Sequence, residues 1–351
     1  MAVAPDAQHL DVDPAGLVDG RVVAGAFGSL IAGVEMIRSG VTCCSDLYFF
    51  PEAAAEGLRE AGLRCATAGI VIGFPSAWAA NDDEYISKCE ALIERYSGDP
   101  FVRVTVGPHA PYTVSDASLA RCAALSERHD LPVHIHVNET AGEVETSLKD
   151  HGERPVARLA RLGLLNERLI SVHSVHTSNE DIRMLAEARA SVCHCPSSNL
   201  KLASGFAPVA KMMKAGINLG IGTDGAASND KLDMLGETRL AAMLAKAVAG
   251  ATTCAKVFDM LEAATLGGAR ALHWDDEIGS LEIGKCADMI AVDLSGIECG
   301  PVTDPAAQLL YSAGREHVTH VWVAGRLAAG EGTEPRDDTA RTLLEKWAPL
   351  I

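Results

Sequence analysis

The stretch PVHIHVNET (residues 132–140) decides the fold of this chain. It is a short β-branched run in which His134 and His136 stand two positions apart, so both side chains lie on one face of a strand. Glu139 follows where that strand ends. Buried strands that end in chemically useful side chains are typical of a parallel sheet whose carboxyl ends meet at an active site.

Six further β-branched runs flank this stretch, and helical segments separate them. The predicted strands cover residues 41–46, 64–70, 102–110, 132–139, 169–176, 190–196 and 218–224. The amphipathic segments between them include residues 115–129, 180–188 and 207–215. Repetition of strand, helix and strand predicts parallel pairing, because each crossover returns the chain to the same end of the sheet.

The polar residues at the strand ends favour a closed barrel over an open sheet. Besides Glu139, they include Asp46, His109, His173 and Asp224. A closed barrel gathers all of these positions at one mouth. An open dinucleotide-binding sheet would need a glycine fingerprint after its first strand, and none is present. The sequence therefore predicts an α/β fold with a TIM-type (β/α) barrel.

The number of strands is one short of the eight that such a barrel has. Residues 17–39 have the pattern of loop and helix, so we expect the barrel to lack its first strand. After residue 224 come helical segments at 232–247, 255–266 and 267–272, then strand-like runs at 278–294 and 318–324. We predict an N-terminally truncated barrel at 1–275, the C-terminal part of a β-sandwich at 276–330, and a tail at 331–351 with a helix near 338–347.

Composition excludes several classes of partner. The formal net charge of −17 disfavours nucleic acid and anionic membrane surfaces, and favours a neutral or cationic small molecule. No apolar run approaches the ~20 residues of a membrane span, and residues 1–14 lack a secretory pattern. The ten scattered cysteines indicate buried thiols in a reducing compartment. We expect a cytoplasmic protein.

The chemistry of the strand ends indicates a metal site with a carboxylate nearby. An imidazole such as that of His136 binds metal ions, and a nearby glutamate that is not a ligand can transfer protons, although a single buried histidine is more often a core residue. Asp224 ends an apolar strand among small residues, where an unpaired carboxylate would cost several kcal/mol. A metal ion would compensate that charge.

Two further clusters carry histidines. His173 and His176 lie on opposite faces of their strand, so one of them faces the mouth, and His173 is deeper in the apolar run. The turn at 107–112 projects His109 and Tyr112, either to position a substrate or simply to pack. Cys193-His194-Cys195 has no second half at zinc-finger spacing and is interpreted as a packed strand.

These motifs resemble the 5-methylthioadenosine/S-adenosylhomocysteine deaminase subgroup of the amidohydrolase superfamily. The similar segments lie between about residues 28 and 325, and they are the runs at 35–40 and 46–51, GPHAPYTVSD (107–116), HIHVNET (134–140), HCPSSNLKLASGFAPV (194–209), GIGTDGAASND (220–230) and EIGSLEIGKCADMIAVDL (277–294).

The resemblance implies a role for each site residue. His136 and Asp224 would bind zinc or another divalent transition metal, and Glu139 would be the proton shuttle. His173 would orient the attacking water, and His109 would contact the substrate, with Glu139 and Asp224 also near it. The implied reaction is hydrolytic deamination at C6 of an aminopurine nucleoside.

One part of the family pattern is not found. The subgroup carries an H-x-H pair on its first strand, but His9 stands alone before residue 40. His134 and His136 do not replace that pair, because His136 already matches the later ligand. We therefore expect truncation, weak metal binding and little turnover. We also expect self-association into a homo-oligomer through the exposed sheet edges.

Two other functions remain open at this point. The ring could be guanine, an oxidised purine, a pterin or an s-triazine, because pocket shape rather than the metal site selects the ring. Alternatively, the chain is an inactive barrel that binds a ligand or a partner. Metal content and ammonia release from a panel of aminopurines distinguish these cases.

Overall fold

Seven parallel strands follow one another in chain order across the main sheet of the structure, a computed structural model that describes residues 18–331 and side chains from residue 25 onward. The strands are β1 (Cys43–Asp46), β2 (Arg64–Val71), β3 (Val102–Pro108), β4 (Val133–Val137), β5 (Leu169–His173), β6 (Ser191–His194) and β7 (Asn218–Ile221). All seven predicted strands are confirmed, and each neighbouring pair is parallel.

The sheet curls strongly, as a contact between β1 and β4 shows. Neighbouring strands lie about 4.8 Å apart, so three steps across a flat sheet would separate these two strands by about 14 Å. Yet Ser45 Oγ on β1 lies 2.9 Å from His134 Nδ1 on β4. The inner face is therefore concave, and the predicted TIM-type barrel is confirmed as a curled sheet of seven strands within residues 18–331.

Helices connect these strands, and most of them pack on the outer face of the sheet. They are α1 (Val18–Arg38), α2 (Pro51–Ala61), α3 (Asp82–Arg95), α4 (Asp116–His129), α5 (Ala141–His151), α6 (Pro155–Arg161), α7 (Asn179–Glu187), α8 (Pro196–Lys201), α9 (Val209–Lys214), α10 (Ala226–Asn229), α11 (Met234–Ala249), α12 (Val257–Ala264) and α13 (Leu266–Ala271). Side chains of Asn81, Ser115, Thr140 and Ser178 accept backbone N–H groups at four helix starts. These local caps explain why α4 and α7 begin within one residue of their predicted starts.

The two faces of each strand have different neighbours. On β4, Val133 and Ile135 point outward into the larger apolar core. On the concave side, Ile170, Val172 and Cys193 form a second apolar cluster with Trp274. Both faces are thus buried, as expected for a parallel sheet. All ten cysteines are free, which agrees with the expectation of buried thiols rather than disulfides.

A small antiparallel sheet follows the barrel. Its strands are β8 (Met289–Val292), β9 (Val318–Val323) and β10 (Arg326–Ala329), and it is accompanied by α14 (Pro305–Tyr311) and a 3₁₀ turn (Arg315–His317). The predicted strand at 278–294 is shorter than expected, because residues 279–288 form turns. The domain boundaries at 275 and 330 remain predictions. The tail helix near 338–347, His9 and the acidic start of the chain lie outside the described residues.

Arg64 joins the small sheet to the barrel. This buried arginine begins β2, and its Nε donates to Asp288 Oδ2 at 2.7 Å. Over residues 18–331, none of the helices combines the length and the apolar character needed to cross a membrane.

Candidate active site

Three strands leave the sheet through residues in left-handed backbone conformations. These are Asn138 (φ 55°) after β4, His173 (φ 68°) at the end of β5 and Asp224 (φ 62°) after β7. Such conformations are unfavourable for residues other than glycine, and they cluster at functional sites. They also end the strands a few residues earlier than predicted. The carboxyl ends of β4, β5 and β7, together with the segments that follow them, are called the mouth below.

His136 enters the mouth from β4 with its ring orientation fixed. Its Nδ1 lies 2.6 Å from the backbone carbonyl of His109. A carbonyl oxygen can only accept, so Nδ1 carries the proton and Nε2 keeps its lone pair. Burial lowers the pKa of His136, which favours the neutral ring. A neutral imidazole with an available Nε2 is a suitable metal ligand.

His173 is held in the same tautomer by a different group. Its Nδ1 lies 2.9 Å from Oδ1 of the buried Asn199. Its Nε2 faces two carboxylates, with Glu139 Oε2 at 3.8 Å and Asp224 Oδ2 at 4.0 Å. The rings of His136 and His173 stack with centroids 5.5 Å apart. The structure thus brings together four of the predicted site residues.

Asp224 is fixed by contacts to both carboxylate oxygens. Oδ1 accepts the backbone N–H of Gly225 at 2.6 Å, and Oδ2 accepts the hydroxyl of Ser198 at 2.5 Å. Charged hydrogen bonds of this kind are stronger than neutral ones and keep a carboxylate in place. Its Oδ2 edge is the one that faces His173.

Glu139 lies opposite Asp224 across the mouth. Its Oε1 accepts the hydroxyl of Ser204 at 3.3 Å, and its Oε2 is the oxygen directed at His173. The side chain is only 18% exposed. The bond from Ser204 is long, so it leaves most of the hydrogen-bonding capacity of this carboxylate unused.

His109 is also at the mouth, on the segment that follows β3. Its ring centroid lies 5.2 Å from that of His136. Nδ1 lies 2.9 Å from Thr113 Oγ1, whose own proton goes to the carbonyl of Ala110, so His109 donates and its Nε2 keeps a lone pair. Burial, together with the neighbouring His136, lowers the pKa of His109 to about 3. The ring is therefore neutral.

Two other histidines singled out in the sequence do not join this group. His134 points into the barrel below His136, where Nδ1 meets Ser45; its buried Nε2 has no hydrogen-bond partner among the described residues. His176 donates from Nε2 to the carbonyl of Ser204 at 2.7 Å. His176 thus anchors a loop, while Ser178 and Asp181 form the capping box at the next helix start.

One segment, which the sequence did not mark as positioning, supports all three central side chains. Ser198 bonds Asp224, Asn199 bonds His173, and Ser204 bonds Glu139. We call residues 195–205, which follow β6, the bracing segment. Their small polar side chains lack any distinctive spacing, so only the fold reveals their partners.

Glu143 and Glu237 are two further residues that sequence reasoning missed. Each is a buried carboxylate that accepts hydrogen bonds from a segment of the mouth. Glu237 accepts from the backbone N–H of Ser197 and from Asn229, whose amide also donates to the carbonyl of Thr223 beside Asp224. Burial raises the pKa of Glu237.

The donor atoms at the mouth are of the kind that zinc prefers. They comprise Nε2 of His136, Nε2 of His173 and a carboxylate oxygen of Asp224. Their spacing is wider than that of a formed centre, since His173 and Asp224 are 4.0 Å apart. In the part of the chain that the structure describes, no three His, Cys, Asp or Glu side chains are gathered closely enough to hold a metal ion. The residues fit zinc in chemistry and supply part of a ligand set.

Comparison with known sequences places these features in context. The amidohydrolase family profile matches residues 24–328. The 5-methylthioadenosine/S-adenosylhomocysteine deaminase of Teredinibacter turnerae is 46% identical over 298 residues, which are 85% of this chain and 67% of that protein. The protein of the same name from Saccharophagus degradans is 42% identical over 304 residues, covering 87% and 68% of the two chains.

Solved structures give the same picture of the fold. An adenosine deaminase from Xanthomonas campestris with bound zinc is 44% identical, with a TM-score of 0.89 over 95% of this chain and 78% of that one. An atrazine chlorohydrolase from Arthrobacter aurescens, complexed with zinc and atraton, has a TM-score of 0.86 at 23% identity and covers 93% and 78% of the chains. The second similarity concerns the fold alone.

Proposed function

The chain belongs to the amidohydrolase family, and on that basis we propose that it hydrolyses the 6-amino group of an adenine nucleoside such as 5-methylthioadenosine or S-adenosylhomocysteine. Water and the aminopurine would give the 6-oxopurine and ammonia. The observation that carries the proposal is the position of His173, whose Nε2 faces both Glu139 and Asp224 within 4.0 Å. A base-like ring between two carboxylates suits the activation of a water molecule.

We propose that His136 and Asp224 hold a divalent transition metal, with zinc as the first candidate, and that His173 lies beside it. The tautomer of His136 and the fixed Oδ2 edge of Asp224 support this assignment. When bound, zinc would supply Lewis acidity and make a nearby water more acidic.

The two carboxylates and His173 would orient and deprotonate the water. The gaps of 3.8 and 4.0 Å from His173 to Glu139 and Asp224 exceed a direct hydrogen bond, so one water can be shared by all three groups. The water oxygen would attack C6 of the ring while a carboxylate takes its proton. Asp224, held by Ser198 and Gly225, is in position for that first transfer.

Glu139 would carry protons to the substrate. The proton that Asp224 takes from the water would pass through Glu139 to the ring nitrogen next to C6 as the C–O bond forms. The proton of the new C6 hydroxyl would then follow to the amino group, which leaves as ammonia when the C–N bond breaks and the C6 carbonyl forms. Its single bond to Ser204, at 3.3 Å, supports this role because little competes for the carboxylate oxygens.

His109 would contact the nucleoside, most plainly its sugar. Its Nε2 is an acceptor for a hydroxyl, and the neutral ring adds no charge. Residues 68–81, which are the end of β2 and the segment that follows it, contain no arginine or lysine that could bind a carboxylate. This supports a nucleoside with a neutral 5′ group, such as 5-methylthioadenosine, over S-adenosylhomocysteine.

The test is ammonia release from a panel of amino heterocycles by the purified protein, with zinc added or with a chelator. We expect turnover of 5-methylthioadenosine and adenosine in zinc, and little in chelator. Glu139→Gln should lower kcat at least about 100-fold, since a positioned general acid–base contributes about that much. Glu145→Gln, an exposed glutamate of α5, is the matched control and should leave kcat unchanged.

Other outcomes select other functions. Turnover of guanine, a pterin or an s-triazine, with no turnover of any adenine nucleoside, would mean that the protein deaminates a ring other than adenine. Retention of zinc without turnover of any compound would favour a barrel that only binds a ligand or a partner.

A further inference from the structure

Glu143 begins as an ordinary helix-capping residue in the sequence. It is the third residue of α5, and Thr140-x-x-Glu143 has the spacing of a capping box. In such a box the glutamate returns to the backbone N–H of the cap residue itself. The box at α7 is of this kind, since Asp181 accepts from the N–H of its cap residue Ser178 at 2.8 Å.

At α5 only half of that arrangement forms. Thr140 Oγ1 accepts the N–H of Glu143 at 3.1 Å. The carboxylate of Glu143 passes the cap residue and accepts two earlier N–H groups, from Asn138 to Oε1 at 2.9 Å and from Glu139 to Oε2 at 2.7 Å. Both oxygens are thus used on the turn that leads out of β4.

We propose that Glu143 is a positioning residue, whose carboxylate fixes the backbone of residues 138 and 139 and so directs the carboxylate of Glu139 at His173. This inference rests on the proposed function, in which Glu139 transfers protons. Glu143 touches no reacting atom in this scheme. It acts only through the backbone of Glu139.

The turn at residues 138 and 139 needs hydrogen-bond acceptors from outside itself. Asn138 adopts a left-handed conformation, and both polar atoms of its buried amide have no hydrogen-bond partner in the described part of the chain. The turn is therefore not held by its own side chain. Backbone N–H groups buried without an acceptor are costly, so the two bonds to Glu143 stabilise this turn against alternatives.

Glu143 uses each of its two carboxylate oxygens to accept one backbone N–H group. It is 5% exposed, and an ionised carboxylate at this depth needs strong donors. Burial raises the pKa of Glu143 to about 7, while the two N–H groups act in the opposite direction. A glutamine has only one oxygen, and its NH₂ group would face a backbone N–H. Glu143→Gln should therefore release one side of the turn without leaving a cavity.

The test compares Glu143→Gln with the wild type, using zinc-loaded protein and 5-methylthioadenosine. We expect kcat to fall about 10-fold or more, as for loss of other orienting partners, with KM changed less than about threefold. Hydrogen exchange at the amides of residues 138 and 139 should speed up selectively. Zinc content should not change.

A double variant tests whether the effect passes through Glu139. In a Glu139→Gln background, adding Glu143→Gln should lower the remaining kcat by less than about twofold, because residues that act as a unit are not additive. An equal loss in both backgrounds would overturn the proposal. So would a Glu143→Gln single variant with kcat within twofold of wild type.

Glu84→Gln is the matched control. Glu84 is also the third residue of a helix after a strand, and its carboxylate accepts the N–H of Ala80 at 2.8 Å, but it is exposed. We expect no change in kcat. Glu143→Asp, which keeps the charge, should recover part of the kcat and covers the case in which Glu143→Gln does not fold.

The amide-exchange result separates this inference from the proposed function. If the wild type turns over no nucleoside, the proposed deamination is wrong. Faster amide exchange at residues 138 and 139 in Glu143→Gln would still show that Glu143 fixes the backbone of this turn. If the wild type is active and that protection is unchanged in Glu143→Gln, the positioning role is wrong.

Discussion

The two ends of the same seven strands are built from different residues. The mouth gathers four polar side chains, those of His136, His173, Glu139 and Asp224, and the gaps from His173 to the two carboxylates are about the size of a water molecule. Three strands leave the sheet there through residues in left-handed conformations. Toward the opposite end, the strands carry apolar side chains that pack on both faces of the sheet. We therefore expect substitutions at the mouth to change catalysis, and substitutions among the packed apolar residues at the opposite end to change stability.

The largest effect is expected at Asp224. Asp224→Asn removes the negative charge of the proposed metal ligand but keeps the size of the side chain. We expect kcat to fall at least about 1000-fold, which corresponds to about 4 kcal/mol of activation free energy. The melting temperature should hardly change. Asp230→Asn, which loses an exposed ion pair with Lys201, is the control and should be active. A large drop in the melting temperature of the Asp224 variant would mean that Asp224 also stabilises the fold, contrary to the comparison.

The next largest effect is expected on stability, at Arg64, which lies at the end of the barrel opposite the mouth. Arg64→Met leaves Asp288 buried without its ion partner, since their side chains are 1% and 3% exposed, and should cost about 3 kcal/mol of unfolding free energy. Because Arg64 begins β2, far from the mouth, kcat should stay the same. Arg128→Met breaks an exposed pair with Glu90 and should cost less than about 1 kcal/mol. Urea denaturation measures both.

A pH effect of intermediate size is expected from His194. Burial lowers its pKa to about 3, so below pH 6.5 the unfolded chain takes up a proton that the folded chain does not. His194 should therefore contribute about 2 kcal/mol to the fall of the unfolding free energy as the pH decreases from 6.5 to 5. His194→Asn should show that much less pH dependence in urea denaturation. His129→Asn, at an exposed site, should match the wild type.

The smallest effect is expected where the bracing segment meets the mouth. Asn199→Leu removes the acceptor for Nδ1 of His173, and we expect about a 10-fold loss of kcat because the tautomer is no longer fixed. Asn199→Asp keeps an acceptor and should recover most of it. Nitrogen NMR of His173 would report the tautomer directly. An unchanged spectrum in Asn199→Leu would mean that another group sets it.

Much of the fold could be predicted because its signals are local. All seven strands were found from β-branched runs, and α4 and α7 from amphipathic spacing. The ends of β3 to β7 were predicted two or three residues too late, and at β4, β5 and β7 left-handed residues, which leave no trace in hydrophobic periodicity, follow or end the strand. The truncation, weak metal binding and self-association stay predictions.

The candidate site was predictable only in part. His136, Glu139, His173 and Asp224 were singled out from their places at strand ends, and the structure brings them together. His173 was preferred over His176 because it lies deeper in the apolar run, and the contacts of the two rings agree with that choice. Glu143 carried a capping signature, but that signature indicated a helix start and not the turn it holds.

The sequence by itself determined which residues stand at the ends of the strands, because strand periodicity and chain order are properties of neighbouring positions. Only the tertiary structure decided how those residues are oriented. Ser45 meets His134 across 89 positions, and Asn199 meets His173 across 26. The tertiary fold brings together these partners, which are distant in sequence, and for His173 the amide oxygen of Asn199 identifies Nδ1 as the nitrogen that carries a proton.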